Sequence, residues 1–279
     1  MIKYEIITNL DQLENVSRLQ TAIWGADSAV PVSLMKAGIH NGSIVIGAYE
    51  EEQLIGFCYG FPGFQEGKTY LCSHMLGIHP DYRNRGVGSE LKLVQRSWAL
   101  QYGYKKMVWT FDPLEARNAY LNLVKLGGYA KRYVPSYYGN MSGALNSGLP
   151  SDRLILEWDL ESPHHNSVQG DGGKEQSREG RGLSRNWLNY PKLLEGAGPE
   201  NCPHPVQNDR EAAGEEAVLL AVPVDIHSMK RTDSGTAAEW RFALRAHFTA
   251  LFDRGYTAVG LLRVEGNVHY YVIEKEKGS

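Results

Sequence analysis

Thr69 to Tyr102, TYLCSHMLGIHPDYRNRGVGSELKLVQRSWALQY, constrains this chain more than any other stretch. Tyr, Leu, Met and Ile dominate Thr69 to His79 and Pro80 closes the run, which predicts a strand. Leu91, Val94 and Trp98 recur at helical spacing, so a helix is expected from about Ser89 with that face inward, ending at Gly103. Between strand and helix stand Arg83, Asn84, Arg85, Gly86, Val87, Gly88 and Ser89. The two glycines let the backbone turn with no Cβ in the way. Free N–H groups then feed a helix N-terminus, where the partial positive charge favours an anion, and two arginines lie beside it. Such a loop suits phosphate.

Competing phosphate motifs fit less well. A dinucleotide fingerprint needs a third glycine where Leu91 stands. Gly67-Lys68-Thr69 looks like the end of a P-loop, but Pro62 occupies the earlier glycine position and a strand follows. The pattern Arg83-x-x-Gly86-x-Gly88, preceded by Gly77-Ile78-His79-Pro80-Asp81-Tyr82, resembles motif A of the GNAT acyltransferase superfamily. The resemblance implies that Arg83 to Ser89 cradle the pyrophosphate of coenzyme A. It also implies that the pantetheine arm pairs with Met75, Leu76, Gly77 and Ile78.

The surrounding elements agree with that family's order. A strand over Lys3 to Thr8 precedes a helix from about Asp11, with Leu13, Val16, Leu19 and Ile23 on one face, and a second helix from Pro31 to His40. Ser43 to Tyr49 and Gln53 to Gly60 read as a hairpin, followed by a Gly/Pro loop over Phe61 to Lys68. After the central helix come a strand over Lys106 to Phe111, a helix from Asp112 to Leu126, and strands over Tyr129 to Tyr133 and Arg153 to Trp158. The expected fold is α/β (α+β): a GNAT-type mixed central sheet with flanking helices over residues 1–160. Residues 161–214, rich in Gly and Pro and poor in apolar side chains, read as a flexible tether. Residues 215–279 read as a small β-α-β-β unit, with Trp240, Leu244, Phe248 and Leu251 facing inward from its helix.

Composition narrows the function classes. Net charge is −3, which gives no footprint for nucleic acid or an anionic membrane. No apolar run approaches the ~20 residues that span a bilayer. The N-terminal MIKYEIITNLDQLE has no apolar signal region, so a cytoplasmic protein is expected. Cys58, Cys72 and Cys202 have no paired spacing, which argues against a disulfide framework or a Cys-rich zinc site. His164, His165 and His204 lack acidic or Cys partners at fixed spacing, so no metal is expected.

The resemblance implies transfer of an acyl group, acetyl from acetyl-CoA being the expected donor, to a primary amine on a small molecule or peptide. His74 is the candidate base, because it lies on the central strand and a histidine titrates near neutrality. Whether His74 faces the cleft or the core is open, since strand neighbours alternate. Glu115 is a second candidate, equally explained by the helix dipole. Many family members place a Tyr acid on the helix after the Lys106 strand. Counting along it reaches Val124 or Lys125, so Tyr120, Tyr137 and Tyr138 are the candidates for the acid. Asn118 matches a position that contacts the cofactor. Asp152 and Arg153 are placed either at the acceptor edge or in a plain surface turn. A non-catalytic acyl-CoA-binding module with the same fold is the alternative, and a homodimer is compatible with either.

Overall fold

The computed structural model describes residues 1–139, 148–162, 187–199, 201–208, 212 and 214–276. His164 and His165 of the expected tether lie outside the described residues. The chain divides into two compact units, one of residues 1–109 with 159–161, the other of 110–158 with 162–279.

The first unit is built on β1 (Ile2–Ile6), β2 (Ile44–Glu50), β3 (Gln53–Gln65), β4 (Lys68–Ile78) and the start of β5 (Lys106–Phe111). β1 to β4 form an antiparallel meander, and β5 joins β4 in parallel. Three helices flank these strands: α1 (Leu10–Trp24), α2 (Val32–Ile39) and α3 (Val87–Tyr102). α1 starts where the Asn9 side chain accepts a hydrogen bond from the Gln12 N–H at 2.8 Å. Its Leu13, Val16 and Leu19 close over Val45, Phe57 and Met35. Each fully buried side chain of this size contributes about 1.5–3 kcal/mol.

Two expectations are corrected here. The loop predicted over Phe61 to Lys68 is strand, because β3 runs on to Gln65 and β4 begins at Lys68. Glu66 and Gly67 both have positive φ, 51° and 75°, which makes a two-residue turn whose twist matches that of the strands. The buried face of α3 keeps Leu91 of the expected stripe but not Val94 and Trp98, which are half-buried. That face is Val87, Leu91, Lys92, Gln95 and Ala99, while Trp98 stacks on the exposed Tyr102. Helical phase allows either face, and packing under β4 decides it.

The second unit contains α4 (Ala116–Ala119), a π-helical turn (Tyr120–Lys125), β6 (Tyr129–Val134), β7 (Arg153–Asp159), β8 (Lys192–Ala197), β9 (His204–Gln207), β10 (Ala217–Pro223), α5 (Ile226–Thr232), α6 (Ser234–Asp253), β11 (Tyr256–Leu262) and β12 (Val268–Lys275). Its strand order is β7-β6-β11-β12-β10-β8-β9, with β8 and β10 parallel. Within the stretch read as a flexible tether, β8 and β9 pair with each other and β8 pairs with β10. A buried anchor explains this: the Trp240 indole N–H donates to the Pro203 carbonyl at 2.7 Å. α6 presents Trp240, Leu244, Phe248 and Leu251 inward as expected.

Charged pairs lock α6 to the segment around β6 and β7. Arg241, 1% exposed, donates to the Asp112 carboxylate at 2.7 Å. Arg245 makes two bonds to Asp152, at 2.7 and 2.8 Å. Asp152 is fully buried and also accepts from the Tyr133 hydroxyl and the Ser136 N–H, so it is an internal hub and not a surface turn. Arg153 lies 4.0 Å from Asp112.

Glu115 is taken by His227 at 3.0 Å, and this hydrogen bond raises the His227 pKa against the opposing effect of burial. The stabilisation from the pair is fully present below the ordinary histidine pKa of ~6.5 and is lost as pH rises through the raised folded value. The ring resonances of His227 should titrate above those of a free histidine by NMR, and Glu115→Gln should return them to the ordinary range. An unchanged midpoint in Glu115→Gln would exclude the pairing.

Candidate functional site

The site is built where β4 leaves β5. Parallel pairing between them covers only Leu71 with Met107 and Cys72 with Val108, yet β4 continues to Ile78. A bulge marks the departure. Phe61 pairs with Cys72 and Tyr59 with Met75, so Ser73 and His74 together oppose the single residue Gly60. Such a bulge bends its strand and breaks the alternation of side chains. Gly60 suits the close packing there, since a Cβ would come within 3.2 Å of the Cys72 carbonyl oxygen. Beyond Cys72 the β5-facing edge of β4 has no ladder to β5 among the described residues. It leaves backbone groups of Met75, Leu76, Gly77 and Ile78 beside a fork.

The loop beyond β4 follows from three local choices. Pro80 to Tyr82 form one 3-10 turn. Asn84 and Gly86 take positive φ, 64° and 80°, and α3 then starts at Val87. No side chain caps the first turn of α3, so the N–H groups of Val87, Gly88 and Ser89 point out uncapped. Gly86 needs its glycine for the left-handed backbone, and a Cβ there would enter open space. Gly88 is different. Its backbone is helical, and a Cβ would meet only Leu76 Cδ2 at an ordinary 3.6 Å. Neither backbone nor packing within the chain demands glycine there, although glycine costs a helix ~1 kcal/mol relative to alanine.

The two arginines are not equivalent. Arg85 makes two bonds to Glu50, at 2.5 and 3.2 Å, and lies over the Tyr82 ring. The Arg85 hydrogen bonds hold the Glu50 carboxyl below its ordinary pKa. Arg83 is exposed, with Nε 3.4 Å from the Ile78 carbonyl oxygen. Arg83 is therefore the readier of the two to meet an anion, and Arg85 must exchange Glu50 for it.

His74 stands open to solvent on one side, with Phe61 and Tyr59 rings 5.5 and 6.4 Å away on the other. This apolar company lowers its pKa, so the ring is neutral and able to accept a proton at pH 7. The remaining candidates belong to the second unit. Tyr120 opens the π turn and lies beneath the Arg263 guanidinium at 4.6 Å. Counting to Val124 or Lys125 assumed α-helical phase, and the π turn shifts that phase after Tyr120. Tyr138 has its hydroxyl 3.3 Å from Thr110 Oγ1 and its ring under Arg153, and Tyr137 packs edge-on against Tyr138 at 4.7 Å. Asn118 is exposed on α4. Residues 140–147, between Tyr138 and Asp152, lie outside the described residues.

Sequence reasoning missed a buried polar cluster beneath the fork. Lys92 on α3 is 2% exposed and donates to Ser73 Oγ at 2.6 Å. Ser73 in turn donates to Gln95 Oε1 at 2.5 Å, and the Lys92 amine lies 3.7 Å from the centre of the Trp109 ring. The available signal was phase: Lys92 and Ala99 are seven residues apart on one helix face. Among the described residues no group of three or more His, Cys, Asp or Glu side chains is placed to hold a metal ion. No described helix is long and apolar enough to cross a membrane.

Residues 12–124 match the model of the acetyltransferase (GNAT) family. No curated protein matches the sequence. Among solved structures, the chain is similar to the NatC complex bound to Gag peptide and CoA (14% identity over 57% of this chain and 98% of the other, TM-score 0.46). It is also similar to an N-acetyltransferase from Staphylococcus aureus Mu50 (18%, 58% and 99%, TM-score 0.43). A third is Naa50 from Arabidopsis thaliana in complex with a bisubstrate analogue (16%, 56% and 97%, TM-score 0.45).

Proposed function

We propose that this protein is an acyl-CoA-dependent N-acyltransferase, moving acetyl from acetyl-CoA to a primary amine of a small molecule or peptide by direct attack. The observation that carries this reading is Gly88: a glycine its own chain does not need, at an uncapped helix start, beside an unpaired strand edge. Phosphates of coenzyme A fit against the N–H groups of Val87, Gly88 and Ser89, with Arg83 as the counter-charge and Asn84, Arg85 and Gly86 shaping the turn. The open edge at Met75 to Ile78 suits the amides of the pantetheine arm, and an N–H there would polarise the thioester carbonyl.

The bound thioester supplies an activated acyl group. The chain supplies orientation and proton transfer. His74, neutral at pH 7, takes the proton of the incoming ammonium directly or through water. Tyr120, Tyr137 or Tyr138 returns one to the leaving sulfur, and Asn118 contacts the cofactor.

An acceptor screen that follows thiol release from acetyl-CoA and longer acyl-CoAs tests the reading. Turnover with an amine is the expected result. Tight coenzyme A binding without turnover on any acceptor would favour a binding module instead. With an acceptor in hand, Tyr→Phe at the acid should cost about 10²–10⁴-fold in kcat with unchanged coenzyme A affinity. Parent-like activity in all three variants would mean that the thiolate leaves unaided.

A further inference from the structure

Lys92 has no role in the scheme above, yet burying an amine there is costly. Among the described residues no carboxylate acts on it. It meets Ser73 and Cys72 from β4, Cys58 from β3 and the Trp109 ring from β5, and Gln95 of α3 shares the Ser73 hydroxyl with it. Burial pushes the two thiols up, Cys58 to about 12 and Cys72 to about 11, so both stay protonated and uncharged at neutral pH. The same burial pulls the Lys92 amine down to about 7.

Its position is what matters. The last paired residues of the fork are Cys72 and Val108. Ser73 and Trp109 are the next residue on each strand, and the Lys92 amine touches both. One side chain thus spans the opening of the fork. Lys92 also lies four residues from Gly88 on the same helix, about 6 Å along its axis. Phosphate charge at the α3 N-terminus would act on the amine through protein and not through water, where attraction is weakly screened.

Gln95 adds a second observation. Its Nε2 is buried without a hydrogen-bond partner among the described residues, while its Oε1 accepts from Ser73. That arrangement suits a charged Lys92 donating to Ser73. With a neutral amine, Ser73 can donate to Nζ and Gln95 can turn its amide to donate from Nε2. Hydroxyl and amide can reverse together, so Ser73 keeps a partner in either protonation state, while Gln95 Nε2 gains one only when the amine is neutral.

We propose that Lys92 is a positioning residue of the acyl-CoA site: when cofactor phosphates dock at the α3 N-terminus, its amine takes a proton from solvent and tightens the bridge from Ser73 to Trp109 across the fork. This rests on the acyl-CoA reading given above. The ammonium gains the full attraction of the Trp109 face and a charge-assisted bond to Ser73. β4 is thereby held where Met75 to Ile78 receive the pantetheine arm. Linkage sets the sign. An anion that raises the Lys92 pKa must itself bind more tightly when Lys92 is charged, so coenzyme A affinity falls as pH rises through and above 7.

Calorimetry of the full chain with coenzyme A, at about pH 8 in buffers of different ionisation enthalpy, tests this. At that pH the cofactor's phosphate, with a second pKa near ~6, is already ionised. A rise of the amine midpoint by about one pH unit gives uptake of about 0.4 proton per coenzyme A, and about tenfold loss of affinity across the transition. Lys92→Met should abolish the uptake, weaken binding about tenfold at pH 6.5 and flatten its pH dependence. ¹³C NMR of the lysine side chains in the parent needs no variant: one buried lysine should titrate near neutrality, and its midpoint should rise on adding coenzyme A. Ser73→Ala should lower that midpoint. Equal uptake in Lys92→Met and parent, or a midpoint unmoved by coenzyme A, overturns the proposal. Coenzyme A binding without proton uptake overturns it while leaving the acyltransferase reading standing. No coenzyme A binding by the parent overturns both.

Discussion

Gly88→Asp is expected to abolish coenzyme A binding and leave the fold intact. The new Cβ meets only Leu76 at 3.6 Å, so nothing in the chain must move. A carboxylate in the first turn of α3 also suits the helix dipole, which favours it by about 0.3–1 kcal/mol. Stability should therefore hold or rise slightly. The same carboxylate would sit where the phosphates belong. Opposed like charges cost several kcal/mol, and about 3 kcal/mol corresponds to roughly 100-fold in Kd. Calorimetry should show at least that loss, with an unfolding midpoint at or above the parent's. Parent-like binding would remove the loop from the site. Gly86→Asp is a weaker test, because positive φ adds backbone strain to the charge effect.

The largest stability effect should come from Asp112. Asp112→Asn keeps the shape and the Oδ1 that accepts the Leu114 N–H, but leaves buried Arg241 with only the weaker attraction of Asp152. Breaking a buried pair from one side costs about 3–5 kcal/mol. Arg241→Met should cost less, because Asp112 retains the Leu114 N–H and Arg153 nearby. The double variant should be more stable than the sum of the single losses implies, since it leaves no orphaned charge. Urea unfolding of the three proteins reads this directly. Strictly additive losses in the double variant would mean that the two groups do not act as a buried ion pair.

Much was legible before any coordinates. The residues between Thr69 and Tyr102 announced strand, glycine turn and helix, because positive φ and helical period need particular residue types. The amphipathic stripes of α1 and α6 were legible for the same kind of reason: period 3.6 is written residue by residue. The N-terminal element order, with its family resemblance, follows from such local signals.

What stayed hidden depends on partners distant in sequence. Whether His74 looks outward was undecidable, because alternation along β4 is broken by a bulge that exists only against Gly60 of β3. The role of Glu50 as the carboxylate holding Arg85 appears only when the β2–β3 turn meets the loop. β8 and β9 sit in a stretch without strand-like runs and are held by Trp240 and pairing with β10. Asp112 and Asp152 look like turn residues, and become buried anchors when α6 delivers Arg241 and Arg245. Local backbone preference and hydrophobic period are properties of neighbouring residues, so the chain by itself determined most of the elements and the glycine turn before α3. Burial, charge pairing and pKa are properties of what surrounds a side chain, so only the tertiary structure could turn Lys92 from one more helix lysine into an amine poised near neutrality beneath the fork.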